Sequence, residues 1–198
     1  MAILKNRRIV ILIAVVVACL ETIFGVYRTS ARYTRDIEAM FYDGVYLKDE
    51  GYTQPGIDSH LNNAANAALG FATLVEKYHP GLQHQAGELI SARREFIAAK
   101  SIGEKSSAYS AMSSRFYELF RAVSENPDIG LPEHVFSEPT IKYVETFSGA
   151  NSAFSSSEYN VRVSEYLDGR SFLMRFIGAL APVREPEYFL PEATLLFF

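Results

Sequence analysis

Tryptophan is absent from the 198 residues, and cysteine occurs once, at Cys19. A single cysteine excludes an intrachain disulfide and leaves the redox compartment open. A basic surplus is missing as well: 19 Lys and Arg against 23 Asp and Glu give a formal charge of −4 and a pI near 5.6. That balance argues against the broad positive surface that holds nucleic acid. No stretch alternates with period two between turn signals for long enough to build a sheet, which excludes the β classes. Internal repeats of solenoid length are absent too, and the serine cluster Ser155, Ser156, Ser157 is the nearest thing to a biased tract.

The residue sets of familiar chemistries are also missing. Gly44, Gly51 and Gly56 are spaced as turn residues rather than as a phosphate-cradling loop between a strand and a helix. There is no Gly-x-Ser-x-Gly elbow, and the serine cluster has no histidine near it in sequence, so its small residues read as close-packing or solvent-facing positions. Of His60, His79, His84 and His134, only His84 has a ligand-spaced partner, Glu88 at i+4, and the pair lacks a third and a fourth ligand. Arg93 and Arg94 beside Phe96 fall short of the basic clusters that bind headgroups and read as a solvated helix face. The expectation is a protein that is no enzyme, with no catalytic residue, no metal site and no cofactor.

What is present is a long apolar run, Ile9 to Tyr27, with Lys5, Arg7 and Arg8 before it and Arg28 after it. As a helix its nineteen residues span about 28 Å, against roughly 30 Å of bilayer hydrocarbon. Ile9, Val10, Ile11, Leu12, Ile13, Val15, Val16, Val17, Leu20, Ile23 and Phe24 supply the apolar surface of a membrane anchor. Glu21 is the one dissenting residue, but it lies near the Arg28 end, where protonation, snorkelling or a partner helix lowers the cost of burying a carboxylate. A plain cleavable signal fits less well, because the apolar character continues to Tyr27 with no turn to polar residues. A bacterial lipobox is the sharper alternative: Val16-Val17-Ala18-Cys19 would make Cys19 a lipid acceptor, whereas in a spanning helix it is a small apolar residue. The density of basic residues before the run places the N-terminus inside the cell and the body outside it.

Beyond the anchor, about 170 residues suffice for one domain with a proper core. Residues 28–47 continue the anchor helix as a stalk, broken at DEGYTQPG (49–56). A second helix, with Asp58 or Ser59 as N-cap, carries Ile57, Leu61, Ala64, Ala68, Phe71, Val75 and Tyr78 at the four-three spacing of a coiled-coil seam and stops before His79-Pro80. A third, from Leu82 to Ser101, buries Leu82, Ala86, Leu89, Ala92, Phe96 and Ala99. Gly103 breaks or bends the chain before Tyr109, Met112, Phe116, Leu119 and Val123 resume the pattern. Asn126-Pro127-Asp128 stops that helix, and Gly130 to Phe136 is a connector. The last long helix caps at Ser137, tolerates Pro139 in its first turn, and runs through Ile141, Val144, Phe147, Phe154, Val161 and Val163 to about Leu167. A bend at Asp168-Gly169 precedes a helix from Phe172 to Leu180, and Pro182, Pro186 and Pro191 exclude a continuous helix in the tail, which packs on something. The fold class is all-α: an antiparallel bundle of about four long helices behind a transmembrane helix.

The order of these features, with SARREFIAAK, RAVSENPDIG and SSEYNVRVSEYLDGRSF in turn, resembles the LemA family of bacterial membrane-anchored helical proteins. Tyr159-Asn160 with Val163 and Tyr166, then Phe172 and the closing Pro186-Glu187-Tyr188-Phe189, is similar to that family's YN-x-x-V-x-x-YN, Phe-Pro step and terminal REYF-like element. Asn126-Pro127-Asp128 stands in the place of the family's YPDL stop. Leu167 replaces the second Asn, and DEGYTQPGIDSHLNNAAN keeps little of the family's AWS…QRR…LIPNLV segment beyond the proline and a following Leu, which marks a divergent member. The resemblance implies a bacterial bundle of long helices for which no enzymatic chemistry is settled.

From the residues themselves, Tyr159, Asn160 and Tyr166 are expected to form a polar lock in the bundle core, Tyr166 on the face of Tyr159 and Asn160 bonding across to a neighbouring helix, with a ligand-recognising surface as the alternative. The expected layout is a basic N-terminus (1–8), a span (9–27), a bundle (28–181) and a proline-containing tail (182–198). The expected role is that of a membrane-anchored scaffold or interaction module of the bacterial envelope, its partners being the lipid bilayer and a protein or a second copy of itself. The alternative is a sensor that binds a small envelope ligand or a lipid, which requires a pocket with convergent polar groups.

Overall fold

A computed structural model of the chain describes residues 7–48, 51–125, 133–155, 157–170, 172–180 and 184–191. The described residues are helical apart from turns, an extended tail segment and one hairpin of two three-residue strands, so the all-α class holds. The chain divides into two compact units: Met1–Ala39 with Arg162–Pro186, and Met40–Val161 with Glu187–Phe198.

The first unit is built on α1 (Arg7–Asp43), of which all but the last four residues belong to it. Its most apolar 18-residue window has a mean hydropathy of 2.8 and buries nothing inside the protein, so this helix is long and apolar enough to cross a membrane. Val10, Leu12, Val16, Leu20 and Phe24 are all exposed, and so is Cys19. Beyond the run, Thr34 is buried and its Oγ1 donates to the Arg184 carbonyl at 3.0 Å, while Arg184 Nη2 lies 2.9 Å from Glu38 Oε1. The unit also holds most of α6 (Glu158–Asp168) and all of α7 (Phe172–Leu180). The expected bend at Asp168-Gly169 is there, with the Gly169 N–H bonded to the Glu165 carbonyl at 2.9 Å.

In the second unit the stalk ends sooner than the pattern suggested. The α1 helix stops at Asp43 because Gly44 takes φ +85° and its N–H bonds back to Met40 O, the left-handed conformation that glycine adopts most readily. A Cβ at Gly44 would also collide with the Gln54 carbonyl. The chain then forms the hairpin β1 (Val45–Leu47) and β2 (Tyr52–Gln54), antiparallel with Tyr46 opposite Thr53. Helix α2 (Ile57–Tyr78) follows, and Ile57, Leu61, Ala64, Ala68, Phe71 and Val75 are all buried as the seam required, with Tyr78 half-buried. Neither Asp58 nor Ser59 is its N-cap. Gly56 holds that position without a side-chain bond, and Asp58 instead accepts from Asn62 Nδ2 and pairs with Lys105.

A one-turn 3-10 segment, Pro80–Leu82, leads into α3 (Gln83–Ala98). The Gly103 question resolves as a break: α3 ends, and α4 (Ile102–Ser124) starts afresh behind Ser101, whose Oγ accepts from the Glu104 N–H at 3.1 Å while Glu104 accepts from the Ser101 N–H at 3.2 Å. This capping box was legible as S-x-x-E. Such short connections make sequential helices antiparallel neighbours, and α3 packs against both α2 and α4. The Asn126-Pro127-Asp128 stop and the first part of the expected connector lie outside the described residues.

The last long helix is two helices. α5 (Glu133–Ser155) begins before Ser137 and holds Pro139 inside it rather than in the first turn, and α6 begins after Ser157, at the serine cluster. Ile141 and Val161 are exposed, whereas Thr140 and Ala150 are buried with Phe147, Phe154 and Val163: Ile141 sits one position off the seven-residue phase of Thr140, Phe147 and Phe154, and Val161, which would continue that phase, lies beyond the break. Helix α5 packs on α2, and Gly70 allows the approach, since a Cβ there would lie 2.5 Å from the Tyr143 ring.

The bundle interior is a continuous aromatic stack. Phe116 and Phe147 lie face to face at 4.0 Å, Tyr109 stacks on Phe147 at 5.7 Å, and Phe154 meets Tyr109 edge-on at 5.2 Å. Burial of the Tyr109 ring raises its phenol above the ordinary range, and the hydroxyl donates to Asn151 Oδ1 at 2.9 Å. Rings of this size carry much of a core's stability.

Candidate functional site

The residues that carried the family resemblance separate into two environments. In the second unit, Tyr159 and Asn160 engage the tail, not a neighbouring helix. The Tyr159 hydroxyl donates to the Glu187 carbonyl at 2.5 Å. Asn160 bonds both ways to one residue: its Nδ2 donates to Phe189 O at 2.8 Å, and its Oδ1 accepts the Phe189 N–H at 3.0 Å. The side-chain amide thus replaces a strand partner for an extended segment that has none. Helix α4 completes the clasp: Glu187 Oε2 accepts from the Gly103 N–H at 2.5 Å, and Ser106 Oγ accepts from the Leu190 N–H at 3.2 Å. Phe189 is buried among Phe41, Tyr109 and Phe154, so the tail does pack, as its aromatic content suggested. Pro186 is buried and Tyr188 exposed. The polar lock therefore exists, with the tail in place of a helix; an amide can satisfy two adjacent backbone groups of a strand but not those of a helix, which are already paired.

Tyr166 belongs to the first unit, its ring 6.4 Å from that of Tyr33. These two rings, with Ile37, Arg162, Glu165, Gly169, Arg170 and Met174, line an open cleft of about 400 Å³. Its walls are largely apolar, and its charged groups are matched: Arg162 Nη1 donates to Glu165 Oε2 at 3.0 Å, while Arg170 donates to the Leu167 carbonyl at 3.3 Å and pairs with Glu185. Val163 is fully buried, and Phe172 opens α7. Sequence reasoning named Tyr33, Ile37 and Tyr166 but missed the cleft, because nothing in the chain's order joins residues 33–37 to residues 162–174. A signal was available in the charges. The first unit carries ten Lys and Arg against six Asp and Glu, a net +4, and the second carries nine against seventeen, a net −8.

The other polar candidates serve the bundle. Arg93 Nε donates to the Ala65 carbonyl at 2.9 Å, clamping α3 to α2, while Arg94 faces solvent. His84 Nδ1 lies 3.9 Å from Glu88 Oε1, and Arg115 Nη1 approaches the same carboxylate at 3.6 Å; a guanidinium stands where a metal would need another donor. Among the described residues no three His, Cys, Asp or Glu side chains converge. No family model, no curated protein and no solved structure matches this chain.

Proposed function

We propose that the protein is a non-catalytic, membrane-anchored helical scaffold or interaction module of a bacterial cell envelope, with α1 as an uncleaved single-pass anchor, the bundle outside the cytoplasm, and self-association or a protein partner as its mode of action. The observation that carries this reading is the use of the polar residues in the bundle. Tyr159, Asn160, Arg93, Ser101 and Glu104 all bond to backbone groups of the chain itself, around a core filled with stacked rings. Such an interior transmits position and presents a surface, whereas a sensor bundle needs room among its helices. The likeness to LemA proteins is part of the proposal. It is supported by the convergence of Tyr159, Asn160 and Phe189, the residues that carry it, on one clasp.

The surface offers isolated apolar side chains at Ile97, Ile141 and Val161, each more than half exposed. A photoreactive amino acid placed at each position and irradiated in intact bacterial membranes should give, from at least one, a discrete product heavier than the monomer. Recovery of monomer alone from all three removes the interaction reading. Cys19→Ser checks the anchor separately: unchanged mass and membrane retention exclude lipidation, and loss of an acylated glyceride together with retention of residues 1–18 establishes it.

A further inference from the structure

The cleft of the first unit lies close to where α1 leaves a bilayer. Tyr33 and Ile37 are six and ten residues past Tyr27, about 9 and 15 Å along a helix axis, which sets the cleft just outside a headgroup layer roughly 5–8 Å thick. Three further arginines, Arg28, Arg32 and Arg35, occupy the intervening turns of α1. A guanidinium has five N–H donors in a fork that matches phosphate oxygens. Arg170 is held in orientation by the Leu167 carbonyl and Glu185 through Nε and Nη1, which leaves Nη2 for an anion. Tyr33, Ile37, Tyr166 and Met174 supply apolar wall.

We infer that this cleft receives an anionic phospholipid of the bilayer that α1 crosses, its phosphodiester against Arg162 and Arg170 and the top of an acyl chain, drawn up from the leaflet, along Tyr33 and Tyr166. Charge complementarity selects this occupant: beyond the span the unit carries seven arginines against five carboxylates, basic by two, while the rest of the chain is acidic by eight, so a surface at a negative leaflet attracts the first and repels the second. Glu165 and Glu185 each face one of the two arginines and fix its direction. The inference rests on the anchor reading of α1, and one experiment separates the two.

The chain lacks tryptophan, so Tyr166→Trp introduces a single reporter at the cleft and Val16→Trp a single reporter in the anchor. Full-length protein is reconstituted into vesicles of mixed phosphatidylglycerol and phosphatidylcholine, with bromine on the upper acyl chain of one lipid or the other at equal mole fraction. Tyr166→Trp should be quenched at least twofold more by brominated phosphatidylglycerol than by brominated phosphatidylcholine. Adding Arg162→Gln and Arg170→Gln should abolish the preference, and Lys at both positions should retain part of it. Val16→Trp should be quenched equally by both lipids. Equal quenching of Tyr166→Trp beside a quenched Val16→Trp overturns the cleft alone, and an unquenched Val16→Trp overturns the anchor as well. Loss of the preference on adding millimolar inorganic phosphate identifies a free-phosphate site and also overturns the lipid assignment. Should the glutamine pair fail to fold, the two-lipid comparison in the unsubstituted background still decides.

Discussion

The first unit is the richer in apolar sequence, 36 of 64 residues against 60 of 134, and the two units use it in opposite ways. Of the buried apolar side chains among the described residues, only Ile37, Val163, Ile177 and Pro186 belong to the first unit, while every ring of the stacked core belongs to the second. The first unit instead exposes Val10 through Phe24 along α1, together with Phe176 on α7. Apolar surface left bare on one unit of a chain whose other unit closes its core completely is surface intended for another solvent. The charges divide the same way, all seven basic side chains of the first unit beyond the span being arginine, against a net-acidic bundle. The first unit thus leaves open the apolar surface that the proposed anchor would give to a bilayer, and the second covers its own.

The largest test of that contrast is a pair of truncations. Phe116→Ala opens the centre of the stack and should lower unfolding stability by about 3–5 kcal/mol, read by denaturant titration of full-length protein in micelles. Leu12→Ala removes a comparable apolar group from α1 and should leave the same transition within about 0.5 kcal/mol, because nothing in the protein packs on it. Equal losses would end the distinction between the units. Next in size is Asn160→Ala, which strands the Phe189 N–H and carbonyl. A cost of about 2 kcal/mol is expected, together with faster protease cleavage between residues 184 and 191; a tail equally resistant in the variant would mean that Phe189 burial alone retains it. Ser101→Ala, which removes one half of the capping box, should cost about 1 kcal/mol and leave the tail protected.

Much of this contrast was legible in the chain. The span, the α2 seam, the α4 seam and the limits of α7 follow from apolar spacing, because each is a single helix whose period runs uninterrupted between strong breakers. Legibility failed where a helix changed phase. The serine cluster separates α5 from α6, and a continuous period drawn from Phe147 and Phe154 across it places Val161 inside when it faces water. Serine is a weaker breaker than Pro or Gly, and its role shows only once the Ser157 hydroxyl is seen to accept the Tyr159 N–H at 3.2 Å. The clasp and the cleft were half legible. Tyr159 and Asn160 were visible as polar residues with a structural task, but an amide pairing with an extended segment 29 residues away has no periodic signature, and neither has a cleft assembled from residues 33 and 166.

The smallest effect is the one that separates the units by titration. His79 is buried at the end of α2, and burial holds its imidazole below the ordinary value. As pH falls through about 6.5, the unfolded chain takes up this proton while the folded chain does not, so the unfolded state is favoured and the bundle loses stability progressively until the depressed folded value is reached. Glu104 acts in a lower window: the Lys100 and Ser101 amides hold its carboxylate below the usual range, so its contribution is full above the ordinary carboxylate value and disappears as pH falls through the lowered one. Denaturant midpoints measured against pH should therefore decline in two stages. His79→Gln should flatten the first stage, and Glu104→Gln the second. Both groups lie in the second unit. Quenching of Val16→Trp by brominated lipid should accordingly remain constant across the window in which the His79 stage appears; a parallel change would show that the anchor and the bundle respond as one body.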